Sequence, residues 1–171
     1  MTSGIIGANE DKVIAGGTSA GDGQHRLGER YTDVDGNVHV YVQASGAITP
    51  AAEAVAVAID EDYQATELTT ALALAGHRVG WAPQQTIIDD DCFWARISGV
   101  FPIRVAANCA ADIQLYTTAT AGILDDASGT GSLARIDGVV LTVAAGTSSS
   151  SGNGLEIDAI VASGGAFVVA V

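Results

Sequence analysis

Few residues in this 171-residue chain are placed to do chemistry. Gly17 to Gly21, "GTSAG", has the G-x-S-x-G form of a nucleophile elbow, which would expose the Ser19 hydroxyl for attack on a carbonyl. That device needs a strand before the serine and a helix after it. The following "GDGQHRLG" is too rich in glycine to make the helix. "DVDGN", Asp33 to Asn37, starts like a calcium loop. A loop counted from Asp33 would need glycine at position 6 and glutamate at position 12, but Val38 and Ala44 stand there. A hairpin turn explains the segment better, because Asp-Gly is a favoured turn pair. "DDDC", Asp89 to Cys92, gathers three acids beside a thiol, and His25, His39 and His77 lie far apart without ligand spacing. No nucleophile–base pair, metal set or cofactor motif emerges. The reading is a non-enzymatic protein with no cofactor.

Composition narrows the partners. The formal charge is −13, from seven Lys+Arg against 20 Asp+Glu. Tight nucleic-acid binding commonly uses about 6–10 phosphate contacts, which would claim nearly every cation here against the chain's own field. Nucleic acid and anionic membranes are therefore excluded as expected partners. No basic-then-apolar leader and no apolar run of about 20 residues occurs, so a soluble protein made inside a cell, in the cytoplasm, is expected. Two cysteines, Cys92 and Cys109, then read as free, buried thiols.

The elements that must position any site read as short strands. Val38, Val40 and Val42 alternate with His39, Tyr41 and Gln43, and Val55, Val57 and Ile59 repeat the pattern, the period of a strand. Further strands are expected in "LTTALALA", "FWARI", "FPIRVAA", "IQLYTTA", "ARIDGVVLTVAA", "GLEIDAIVA" and "AFVVAV", with "GTSSSSGNG" as a loop. The fold class expected is all-β, a small barrel or sandwich. Residues 1–28, rich in Gly, Ser and Thr, read as an extended N-terminal arm, and 29–171 as one β domain. Trp81 and Trp94 read as core plugs or, if exposed, as anchors for a protein partner.

"GHRVGWAPQ", "FPIRVAANCAADIQLYTTATAGILDD" and "ARIDGVVLTVAAG" together resemble the decoration (cement) proteins of tailed-bacteriophage capsids. The likeness runs in outline over 29–171, with its detail in 99–143. It implies a small β-barrel or β-tulip-like domain on the outer surface of the virion. There it would staple neighbouring major capsid subunits, commonly as a homotrimer. The partners implied are thus the major capsid protein and further copies of the chain. Val13, Ile14, His25, Arg26 and Arg30 become expected capsid contacts of the arm. Trp81, Trp94, Tyr116, Thr117 and Thr118 become expected subunit-interface residues. The low relief of Asn108 to Asp126, with its Ala, Thr and Gly, suits close approach at a seam. The alternatives are another virion β module, at a head fibre base or tail, and a carbohydrate-binding module or small hydrolase. The third is disfavoured by only 5% aromatic residues.

Overall fold

Alternating β-branched residues build the first layer. The computed structural model describes residues 13–15, 25–48, 54–127, 133–145, 155–161 and 167–169. Among these the protein is all-β, with one short helix. Strands β1 (Arg30–Thr32) and β2 (Val38–Ala44) form the hairpin expected about Asp33 to Asn37. β3 (Val55–Ile59), β4 (Gln64–Glu67), β5 (Arg78–Ala82) and the long β6 (Cys92–Val105) follow. β2 pairs parallel with β4, β4 with β3, β3 with β5, β5 with β6, and β6 again with β2. The pairings thus close into a ring of five strands. Val40, Val42, Val55, Val57, Ile59, Phe93, Ala95 and Ile97 fill its interior. Val40, Val42, Val55, Val57 and Ile59 among them are alternate positions read from the sequence.

The second layer is assembled on the far half of β6. β7 (Leu115–Thr117), β8 (Leu124–Asp125), β9 (Arg135–Asp137) and β12 (Phe167–Val169) extend from it in the order β6-β8-β7-β9-β12. β10 (Val139–Leu141) pairs with β11 (Leu155–Val161), and β11 pairs along β6 from Gly99 to Val105. Phe101, Ile103, Val105, Leu115, Leu124 and Ile136 pack from this layer onto Ala54, Ala56, Ala58, Val79 and Trp81 of the ring's outer wall. Trp81 meets Phe101 edge-on, with ring centroids 5.5 Å apart.

"FWARI" and "FPIRVAA" are one strand rather than two. Gly99 (φ +128°) lets β6 bend from one layer to the other. An added Cβ there would collide with Asn37, whose Oδ1 accepts the Val100 N–H at 3.0 Å. "LTTALALA" is not a strand: α1 spans Thr70–Leu74. Thr69 caps it by accepting the Leu72 N–H at 3.3 Å. Alanine's helix preference outweighs the two-residue alternation there.

Candidate functional site

The described parts of residues 1–28 do not extend away from the domain; they lie against it. Ile14 and Cys92 exchange both backbone hydrogen bonds, at 2.9 and 3.0 Å, as one antiparallel bridge. Cys92 faces Gln43 of β2 on its other side, so Ile14 adds to an edge of β6 that β5 leaves open until Arg96. Val13 packs against the ring interior. Ile14, Leu27 and Tyr31 close over Tyr41, Cys92 and Trp94. His25 stands over the same cluster, with ring centroids 5.0 Å from Trp94 and 5.4 Å from Tyr41. Gly28 donates to the Tyr41 carbonyl, and Tyr41 donates to that of Glu29. Of the expected arm contacts, Val13, Ile14 and His25 are half-buried on their own domain, while Arg26 and Arg30 are exposed. His39, read as outward-facing on its strand, is fully buried beneath this cover. The "GTSAG" motif lies outside the described residues.

The expected subunit contacts divide in the same way. Trp81, Trp94 and Thr117 are buried within their own chain. Trp81 and Trp94 are therefore core residues, and the core-plug reading holds for both. The Thr117 hydroxyl accepts the Ala134 N–H at 3.0 Å and lies 2.8 Å from the Thr70 hydroxyl. Thr118 is half-buried, and its hydroxyl donates to the Thr120 carbonyl at 2.8 Å. Hydroxyls expected to serve a seam between copies thus close turns and strands inside one copy. Tyr116 is half-buried on β7.

Two titratable groupings could look catalytic. His39 Nε2 lies 3.3 Å from Asp33 Oδ2. The imidazole is sealed from solvent, however, and the carboxylate also accepts the Asp35 and Asn37 N–H groups and the Asn37 side-chain amide. Burial alone would push the Asp33 pKa up. Hydrogen bonds from Asn37, His39 and Asp35 outweigh it and hold the group below the ordinary value. This pair fastens the β1–β2 turn.

The second grouping joins the two ends of the stretch from Asn108 to Asp126. Ligating atoms of Cys109, Asp125 and Asp126 lie within 4.8 Å of one another, and Asp126 accepts the Ala110 N–H at 2.8 Å. Burial, then the charges of Asp126 and Asp125, push the Cys109 thiol up to about 12. Asp125 is raised as well, by burial and by Asp126. A nucleophilic cysteine needs the opposite shift. Adjacent acids and a cysteine sixteen positions away gave no sequence signal for this meeting, because only the fold brings them together. Cys92 and Cys109 are both free and buried, as read from the sequence.

Among the described residues the surface includes an open cleft and exposed apolar positions on one sheet. The cleft, about 330 Å³, is lined by Asp60, Glu61, Tyr63, His77 and Arg78, a mixed-charge rim between two turns. The "DDDC" acids do not converge on one point. Asp89 accepts the Gly46 N–H at 2.7 Å and buried Asp91 accepts that of Ile88 at 3.0 Å. The apolar positions lie on β10 and β6, on either side of β11. Val140 stands opposite Ile160 in the backbone register, and Ile160 opposite Val100, so Val140 and Val100 sit level with each other across β11. Val140 and Val100 are 38% and 57% exposed. Period-two alternation in "DGVVL" and "GVFPI" carries the signal for these two valines, which the sequence reading passed over.

Comparison with known protein families, with curated proteins and with solved structures returns no match for this chain.

Proposed function

We propose that this chain is a non-enzymatic binding protein of the virion, a capsid decoration protein that fastens onto the outer surface of a phage head shell. The observation that carries the reading is the exposure of two valines, Val140 on β10 and Val100 on β6, whose strands flank β11 in one sheet. Exposed apolar positions on a protein this highly charged suit docking to another protein. A net charge of −13 favours a partner whose contact surface has a basic rim, and keeps free copies apart before assembly. The resemblance over 99–143 covers β10 and β6 from Gly99 onward, the segments that bear Val140 and Val100. The partner in this reading is the major capsid protein. Binding only the assembled shell would stabilise it by mass action. A homotrimer engaging three sites would gain roughly 10²–10⁴ in avidity.

The test is co-sedimentation with empty, expanded heads of the phage that encodes the chain. The unmodified protein is expected to pellet with the heads. The Val100→Asp, Val140→Asp double variant is expected to stay in the supernatant with an unchanged circular-dichroism spectrum. Equal pelleting of a folded double variant would overturn the docking face, and no pelleting of either protein would overturn the shell as partner.

A further inference from the structure

The bridge at Cys92 adds one residue of backbone pairing to the edge of β6. Its two hydrogen bonds are backbone to backbone, so they specify a strand and a register but not which copy supplies them. Ile14 occupies the apolar cluster beside Tyr41, Cys92 and Trp94, and Val13 contacts the ring interior. Both contacts would be reproduced unchanged by the same residues of another copy. The other end of the segment is fixed separately. Gly28 and Glu29 bond to Tyr41 of β2, and β1 holds Arg30 to Thr32 in register. Between the two attachments lie residues 16–24, "GGTSAGDGQ", with four glycines and no bulky apolar side chain. The ten steps from Ala15 to His25 reach at most about 33–36 Å. A domain of this length has a radius of gyration of about 16 Å, so that reach spans to a neighbour.

We propose that the Cys92 edge is a strand-exchange interface whose partner is a second copy of this chain. Residues 13–15 of one copy leave their own β6 and seat on β6 of the neighbour. Within one chain the segment competes at an effective concentration of about 1 mM for a short linker. Exchange therefore belongs to crowded copies, such as those held side by side on a surface. Repulsion between acidic copies opposes it, and added salt relieves that opposition. The inference stands on the bridge and the linker alone, independently of the shell reading.

The native thiol of Cys92 provides the test. In a hydrogen-bonded antiparallel pair the Cα atoms are about 5.5 Å apart, within disulfide range. Ile14→Cys, in a Cys109→Ser background, is expected to form an internal disulfide under mild oxidation at roughly 1 µM, well below the linker's effective concentration. Two further chains carry one thiol each: Ile14→Cys with Cys92→Ser, and unmodified Ile14 with Cys92, both with Cys109→Ser. Any heterodimer between them on a non-reducing gel reports exchange. The heterodimer is expected at roughly 1 mM and should rise with ionic strength. Circular dichroism confirms that each variant is folded. An internal disulfide without any heterodimer at the higher concentration would overturn exchange. No internal disulfide in the folded variant would overturn the seat itself.

Discussion

Replacing Asp33 by asparagine isolates what its charge contributes. Asp33 Oδ1 accepts the Asp35 and Asn37 N–H groups at 2.9 and 2.8 Å, while Oδ2 accepts from Asn37 Nδ2 at 2.7 Å and faces His39 Nε2 at 3.3 Å. In Asp33→Asn the remaining oxygen keeps both backbone bonds, and the new amide faces two former donors. Hydrogen bonds to a charged group contribute about 1.5–3 kcal/mol each. A tautomer change at His39 recovers one of the two, leaving a loss of about 2–3 kcal/mol. For a chain of this size each kcal/mol moves Tm by about 2–4 °C, so the variant should melt about 4–12 °C lower near neutral pH.

The pH dependence gives a second handle. The folded Asp33 pKa is depressed, so its stabilisation is fully present above the unfolded value of about 3.9 and disappears as pH falls through the lower folded value. Asparagine does not titrate. The gap between unmodified protein and variant, followed by circular-dichroism melts, should therefore be widest near neutral pH and close well below about pH 3.9. A gap of the same size at both ends, or no gap near neutrality, would refute the assignment of that stability to the ionised carboxylate.

Two other perturbations follow from the same geometry, beyond the docking-face and disulfide experiments above. Gly99→Ala adds a Cβ against Asn37 at φ +128° and should cost about 2–5 kcal/mol, read as a lower urea midpoint. The Cys109 thiol, pushed up to about 12, should resist iodoacetamide in the folded protein at mildly alkaline pH and react once urea unfolds the chain.

The strands were legible where burial follows local alternation. Val38, Val40 and Val42, and Val55, Val57 and Ile59, face the ring interior as their spacing predicts. Alternation assigns a residue to a face but cannot say what covers that face. His39 and Tyr41 are buried because residues 25–31 and Ile14 lie over them, contacts between positions 8 to 27 apart in sequence. "LTTALALA" carries both periods in few residues, and there the Thr69 cap and alanine decide for the helix. The two tryptophans illustrate a further limit. Residue type marked them as important, yet only the crossing of β6 over the ring wall makes Trp81 an internal contact. Val100 and Val140 were passed over for the converse reason, since each is an ordinary strand valine until β11 aligns them.

The wall formed by β3 and β5 has a mechanical consequence. Val55, Val57 and Ile59 point into the ring, while Ala54, Ala56, Ala58, Val79 and Trp81 serve the second layer, so both interiors lean on the same partition. Stripping away the later strands would lay bare that alanine side, and opening the ring would remove the floor on which the later strands rest. Neither half owns a private core. Heating should therefore dismantle both in a single step, and a cut through the bend at Gly99 would leave two fragments that are each missing a shared wall.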